Sequence, residues 1–83
     1  MKLPRDIGGE ELANLLSRYG YHVTRQTGSH LRLTVNRGGR SHHITIPKHS
    51  TLRTGALAAI LRAVAFQIER GRRAVIDELF GGE

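Results

Sequence analysis

The sequence contains no cysteine and no tryptophan, and its 83 residues include only seven aspartates and glutamates. Without cysteine there is neither a disulfide framework nor a thiolate metal site, a composition suited to a reducing compartment. The few acids fall mainly in the terminal helical segments, which leaves no obvious carboxylate pair for acid-base work and no mixed histidine-carboxylate metal cluster. Long hydrophobic runs are missing too: no stretch of about 18 apolar residues exists to span a bilayer. The opening "MKLPRDIGGEE" has no apolar signal core. The expected setting is cytoplasmic, with no membrane partner.

What is present is short, basic and rich in histidine. A chain of 83 residues is expected to form a single domain, 1–83, with no room for a separate catalytic lobe. Its 39% hydrophobic residues are mostly leucine, isoleucine, valine and alanine. That suffices for two thin layers but not for a deep pocket, so a large or polymeric substrate lying across the surface is the expectation. Thirteen lysines and arginines give a formal charge of +6, which favours nucleic acid or another polyanion. Charge alone names no chemistry, since ribosomal proteins, transcription factors and nucleases share it.

Periodicity divides the chain into elements. In "GGEELANLLSRYG", Leu12, Leu15, Leu16 and Tyr19 fall at helical spacing, Glu10 and Glu11 sit where the helix dipole favours acids, and Gly20 is the stop. "YHVTRQ" then alternates, with Tyr21 and Val23 on one face and His22 and Thr24 on the other. "SHLRLTV" places Leu31, Leu33 and Val35 inward against His30, Arg32 and Thr34 outward. After the reversal "NRGGR", "SHHITIP" sets Ile44 and Ile46 inward and His43 and Thr45 outward. Pro47 ends the strand and "KHSTLR" is a basic loop. Thr54 is placed to cap "GALAAILRAVAFQ", whose buried stripe is Leu57, Ile60, Leu61 and Val64. "RRAVIDELF", with Val75, Ile76, Leu79 and Phe80, reads as a closing helix within a C-terminal extension, 67–83. The fold class is α+β in the order α-β-β-β-α: a three-stranded antiparallel sheet with helices on one face, plus a short C-terminal helix. That order matches the double-stranded-RNA-binding-domain (dsRBD) architecture.

Four of the five histidines, at positions 22, 30, 42 and 43, lie in the strands. Strand parity turns His22, His30 and His43 away from the helices, while His42 faces them or lies at a frayed edge. Taken singly, His22, His42 and His43 read as polar strand residues. His30 differs because of "TGSHLRL", residues 27 to 33. Gly28 permits an unusual turn or bulge and a close ligand approach, and Ser29 adds a hydroxyl and an amide. Arg25, Arg32 and Lys48 are the nearby cations able to fix a phosphate. An imidazole beside a docked phosphodiester exchanges a proton near neutral pH, which is what RNA cleavage through its own 2′-hydroxyl requires. No metal and no cofactor is needed. His49 is a second proton carrier or phosphate contact, or else a loop residue. Arg37 and Arg40 in the turn would add to counterion release on RNA binding.

"RQTGSHLRL" after a helix and a strand, followed by "ITIPKHSTLRTGALAAILR", resembles the HicA toxin family, small bacterial ribonucleases of HicAB toxin-antitoxin systems with a dsRBD-like fold. The resemblance rests on a glycine-serine-histidine at the start of the second strand and a proline and histidine after the third. A leucine-x-x-glycine-x-leucine pattern opening the second helix completes it, over residues 10 to 64. It implies that His30 is catalytic, that the substrate is messenger RNA, and that a HicB-like antitoxin protein covers the site. The extension from Gln67 to Glu83 and the pair His42 and His43 have no counterpart in that pattern. Two other readings stand beside it. One is a non-catalytic RNA-binding module, for which the helix opening "TLRTGALAAILR" offers only Arg53 and Arg62; the other is an adaptor whose basic face meets an acidic partner.

Overall fold

Alternation of apolar and polar residues requires a sheet with one covered and one open side, and the helical stripes supply the cover. The computed structural model, which describes residues 3–68 and 72–81, has this arrangement. Helix α1 (Gly9–Leu16) buries Leu12, Ala13 and Leu16, carries Glu10 and Glu11 in its first turn, and tightens into a 3-10 turn at Ser17–Tyr19 that ends on Gly20. Strands β1 (His22–Gln26), β2 (His30–Arg37) and β3 (Arg40–Pro47) form an antiparallel meander with β2 in the centre. Helix α2 (Thr54–Gln67) follows, then α3 (Arg72–Ile76), which widens into a π-type turn over Asp77–Gly81. The class is α+β with a dsRBD-like element order.

The core lies between the helices and the inner face of the sheet. Leu31, Leu33, Val35 and Ile46 from the strands meet Leu12 and Leu16 of α1 and the whole expected stripe of α2, Leu57, Ile60, Leu61 and Val64. Burying each such side chain stabilises the fold by roughly 1.5–3 kcal/mol. Val75, Ile76 and Leu79 are buried in the same cluster, with Phe80 packed at its margin, so the C-terminal segment serves the core.

Two connections fix the register. β2 and β3 are joined by Gly38 and Gly39, with φ of 58° and 78°. Positive φ at both central residues is the type I′ hairpin that side-chain-bearing residues rarely adopt. At the other end of β3, Gly9 is pressed against the backbone of Pro47, so close that a Cβ there would overlap the Pro47 carbonyl oxygen. The Gly9 amide donates to the His49 carbonyl at 2.9 Å, which ties α1 to the loop after β3.

Two expectations are corrected. Thr54 is the first helical residue and not the cap: the N-cap position belongs to Arg53, whose carbonyl accepts from the Leu57 amide at 2.9 Å, and no side chain caps it. Val23 keeps its expected face, opposite Leu33 on the helix side, but on the edge strand β1 it is 46% exposed. Strict alternation also fails in β1, where the pairing slips between Val23 and Arg25 and leaves Thr24 as an extra residue.

Candidate nucleic-acid interface

The slip in β1 builds part of the open face. Uninterrupted alternation would turn Arg25 toward the helices with Val23; the bulge instead sets Arg25 opposite Arg32. Register then defines rows across the outer side of the sheet. His30 pairs with Pro47; Arg25, Arg32 and Thr45 form the next row; His22, Thr34 and His43 form the third; Asn36 and Ser41 follow, joined by a 2.6 Å bond from the Ser41 hydroxyl to Asn36 Oδ1. Successive rows lie roughly 7 Å apart along β2, twice the rise per residue. No aspartate or glutamate occurs between Glu11 and Glu69, so every strand and turn of the sheet is free of negative side chains.

His30 sits at the corner where the β1–β2 connection meets the end of β3. Thr27 makes the corner rigid. Its Oγ1 accepts from the amides of Ser29 and His30 at 3.3 and 3.0 Å, and its own amide donates to the His30 carbonyl at 3.0 Å. On the other side the Lys48 amide donates to the Ser29 carbonyl at 2.7 Å. The imidazole itself is exposed, and its Nδ1 shares a 2.8 Å hydrogen bond with the Ser29 hydroxyl. A hydroxyl can donate to a bare Nδ1 or accept from a protonated one, so Ser29 suits the ring in either role.

The other expected site residues divide. Arg25, Gly28, Ser29 and Arg32 are exposed at or next to the His30 corner. Gly28 is not there for its backbone: its φ lies outside the left-handed region and a Cβ would meet nothing within 4 Å. Lys48 reaches the corner through its backbone only, since its ammonium lies 3.5 Å from Glu10 Oε2 on the helix side. His49 is exposed in the adjoining loop, where its carbonyl holds Gly9. Arg37 and Arg40 are at the far hairpin, with His42, Phe66 and Gln67 around a cleft of about 790 Å³.

Sequence reasoning passed over three threonines. Thr27 locks the corner, and a threonine two residues ahead of Ser29 is a recognisable side-chain-to-backbone turn signal. Thr24 and Thr34 are the others. Thr34 is the one buried polar residue of the described core, 6% exposed, although it points to the open side. Its Oγ1 is 2.8 Å from Thr24 Oγ1 and 2.8 Å from His43 Nδ1. Among the described residues, no group of three histidines, cysteines or acids is disposed to hold a metal ion. Among the described residues, no helix is long and apolar enough to cross a membrane.

These features define a small basic α+β protein of dsRBD-like build, with an acid-free outer sheet face and a fixed imidazole at its corner. The family model described as "HicA toxin of bacterial toxin-antitoxin" matches residues 9–65, from the first residue of α1 to near the end of α2. The chain belongs to the HicA toxin family, and membership gives it the toxin role of a toxin-antitoxin system, with an antitoxin as partner. No match was found among curated proteins or among solved structures.

Proposed function

We propose that this toxin is a metal-independent endoribonuclease that cuts messenger RNA at the His30 corner of its open sheet face. The observation that carries the reading is the setting of His30: exposed, held at Nδ1 by Ser29, and one row from the Arg25 and Arg32 pair. The arginines hold and neutralise the phosphodiester. The ribose 2′-hydroxyl attacks the adjacent phosphorus, its proton passes to a base, and the bond to the departing 5′-oxygen breaks as that oxygen gains a proton. The products are a 2′,3′-cyclic phosphate and a free 5′-hydroxyl. His30 Nε2 supplies one of these two transfers, as general base or as general acid. One imidazole performing half of the proton traffic is worth about 10²- to 10⁴-fold, so the enzyme is slow.

Gly28 belongs to this reading as a place where a nucleotide approaches the backbone, since nothing in the fold itself requires glycine there. Ser29 orients the imidazole, Lys48 and His49 contribute at the margin, and a HicB-like antitoxin silences the enzyme by covering the corner. Replacing His30 with alanine is expected to abolish cleavage while the circular dichroism spectrum and most of the RNA affinity persist. A 2′-deoxy substitution at the cut position is expected to block the reaction. Undiminished cutting by the His30→Ala chain would remove this residue from the mechanism, and cutting at the deoxy position would make water the nucleophile.

A further inference from the structure

The third row of the sheet face is a second built contact. Thr34 is sequestered on a side of the sheet that otherwise faces solvent, and its hydroxyl joins Thr24 to His43 in a chain of two 2.8 Å hydrogen bonds. Thr24 Oγ1 also lies 3.4 Å from the Arg32 carbonyl, which can only accept. The polarity that makes all three contacts runs outward to inward: His43 Nδ1–H donates to Thr34, Thr34 donates to Thr24, and Thr24 donates to the carbonyl. That leaves Nε2 of the exposed His43 ring able to accept when the ring is neutral and to donate when it is charged. His22 flanks Thr34 on β1, its Nδ1 3.4 Å from the Gly20 carbonyl. All three open-face imidazoles are therefore held by Nδ1 and present Nε2.

The rows have an order. Along β2 come the His30 corner, the Arg25 and Arg32 pair, and then His43 on Thr34, at a step of roughly 7 Å. Neighbouring phosphates in an extended single strand repeat at a similar step. We propose that the sheet face is a track for one RNA strand laid lengthwise along β2, in which the His43 imidazolium, positioned by its Nδ1–H on Thr34, donates Nε2–H to the phosphodiester two nucleotides from the one cut at His30. The proposal rests on the nuclease reading for its substrate class, but its test reads binding separately from cleavage.

The full chain is titrated with 2′-O-methyl oligoribonucleotides, which cannot be cut, extended one nucleotide at a time on either side of a fixed dinucleotide. In parallel the unmodified series is assayed for cleavage. The wild-type chain is expected to gain about tenfold in affinity when the strand becomes long enough, on one side only, to reach the third row. His43→Ala loses that step. Thr34→Val loses it as well, and Thr34→Ser restores it, which a role in folding alone does not predict; circular dichroism reports whether each variant folds. A length step that survives in His43→Ala, or no step in the wild type, overturns the track. A step that depends on His43 without any cleavage of the unmodified series leaves the track standing and overturns the nuclease.

Discussion

Tyr21 brings a ring of which only 1% is exposed into the core, and with it a hydroxyl that has no hydrogen-bond partner among the described residues. An unsatisfied buried polar atom costs about 1–3 kcal/mol, so Tyr21→Phe is expected to stabilise the fold by about 1 kcal/mol in urea denaturation at neutral pH. Burial also pushes the phenol above its ordinary value of 10.0, with the nearby Arg37 pulling weakly the other way. A raised folded-state value means that the stability is complete below pH 10. It is lost as pH climbs above that point, because the unfolded phenol ionises first. The wild-type unfolding free energy should accordingly fall more steeply above about pH 10 than that of Tyr21→Phe. Equal slopes in the two chains would show that this phenol is not the group responsible.

At the scale of elements, the junction of α1 with the end of β3 couples stability to the site. Gly9 touches the Pro47 carbonyl and holds the His49 carbonyl, while the neighbouring Lys48 amide holds Ser29 beside His30. Gly9→Ala forces these backbones apart and is expected to cost about 1–3 kcal/mol, the range for overpacking a tight contact. Because the displaced loop carries the Ser29 anchor, catalytic rate at a temperature where the variant remains folded is expected to drop with it. A chain as stable and as active as the wild type would show that the junction yields freely. The helices, the strands and the Gly38–Gly39 turn were legible from period and turn chemistry, since each is repeated over several residues or forced by positive φ. The bulge was not: one extra residue in "YHVTRQ" leaves the alternation superficially intact, and only pairing with β2 exposes it. For the same reason parity placed His30, Arg32 and His43 correctly but gave no account of why Arg25 joins them. The Thr34 chain was invisible because it links three strands, two of them through a side chain that alternation marks merely as outward.

Across the whole molecule, binding should be governed by phosphate contacts to Arg25, Arg32 and the cations near them. If about three phosphates of a single strand are neutralised, the logarithm of the association constant is expected to fall with the logarithm of salt concentration at a slope of about −2. Titration of a short RNA between low and moderate salt measures it, and a slope near zero would contradict electrostatic capture. Membership of the HicA family accounts for residues 9–65, while the segment beyond contributes Val75, Ile76 and Leu79 to the core. Shortening the chain to the family span would therefore open its hydrophobic interior.

Between Glu11 and Glu69 the chain never places a carboxylate. Such a surface has no acid of its own, on strand or turn, to offset its attraction for polyanions. Restraint has to be imported. An antitoxin that carried acids onto this face would supply the charge that the sheet leaves out.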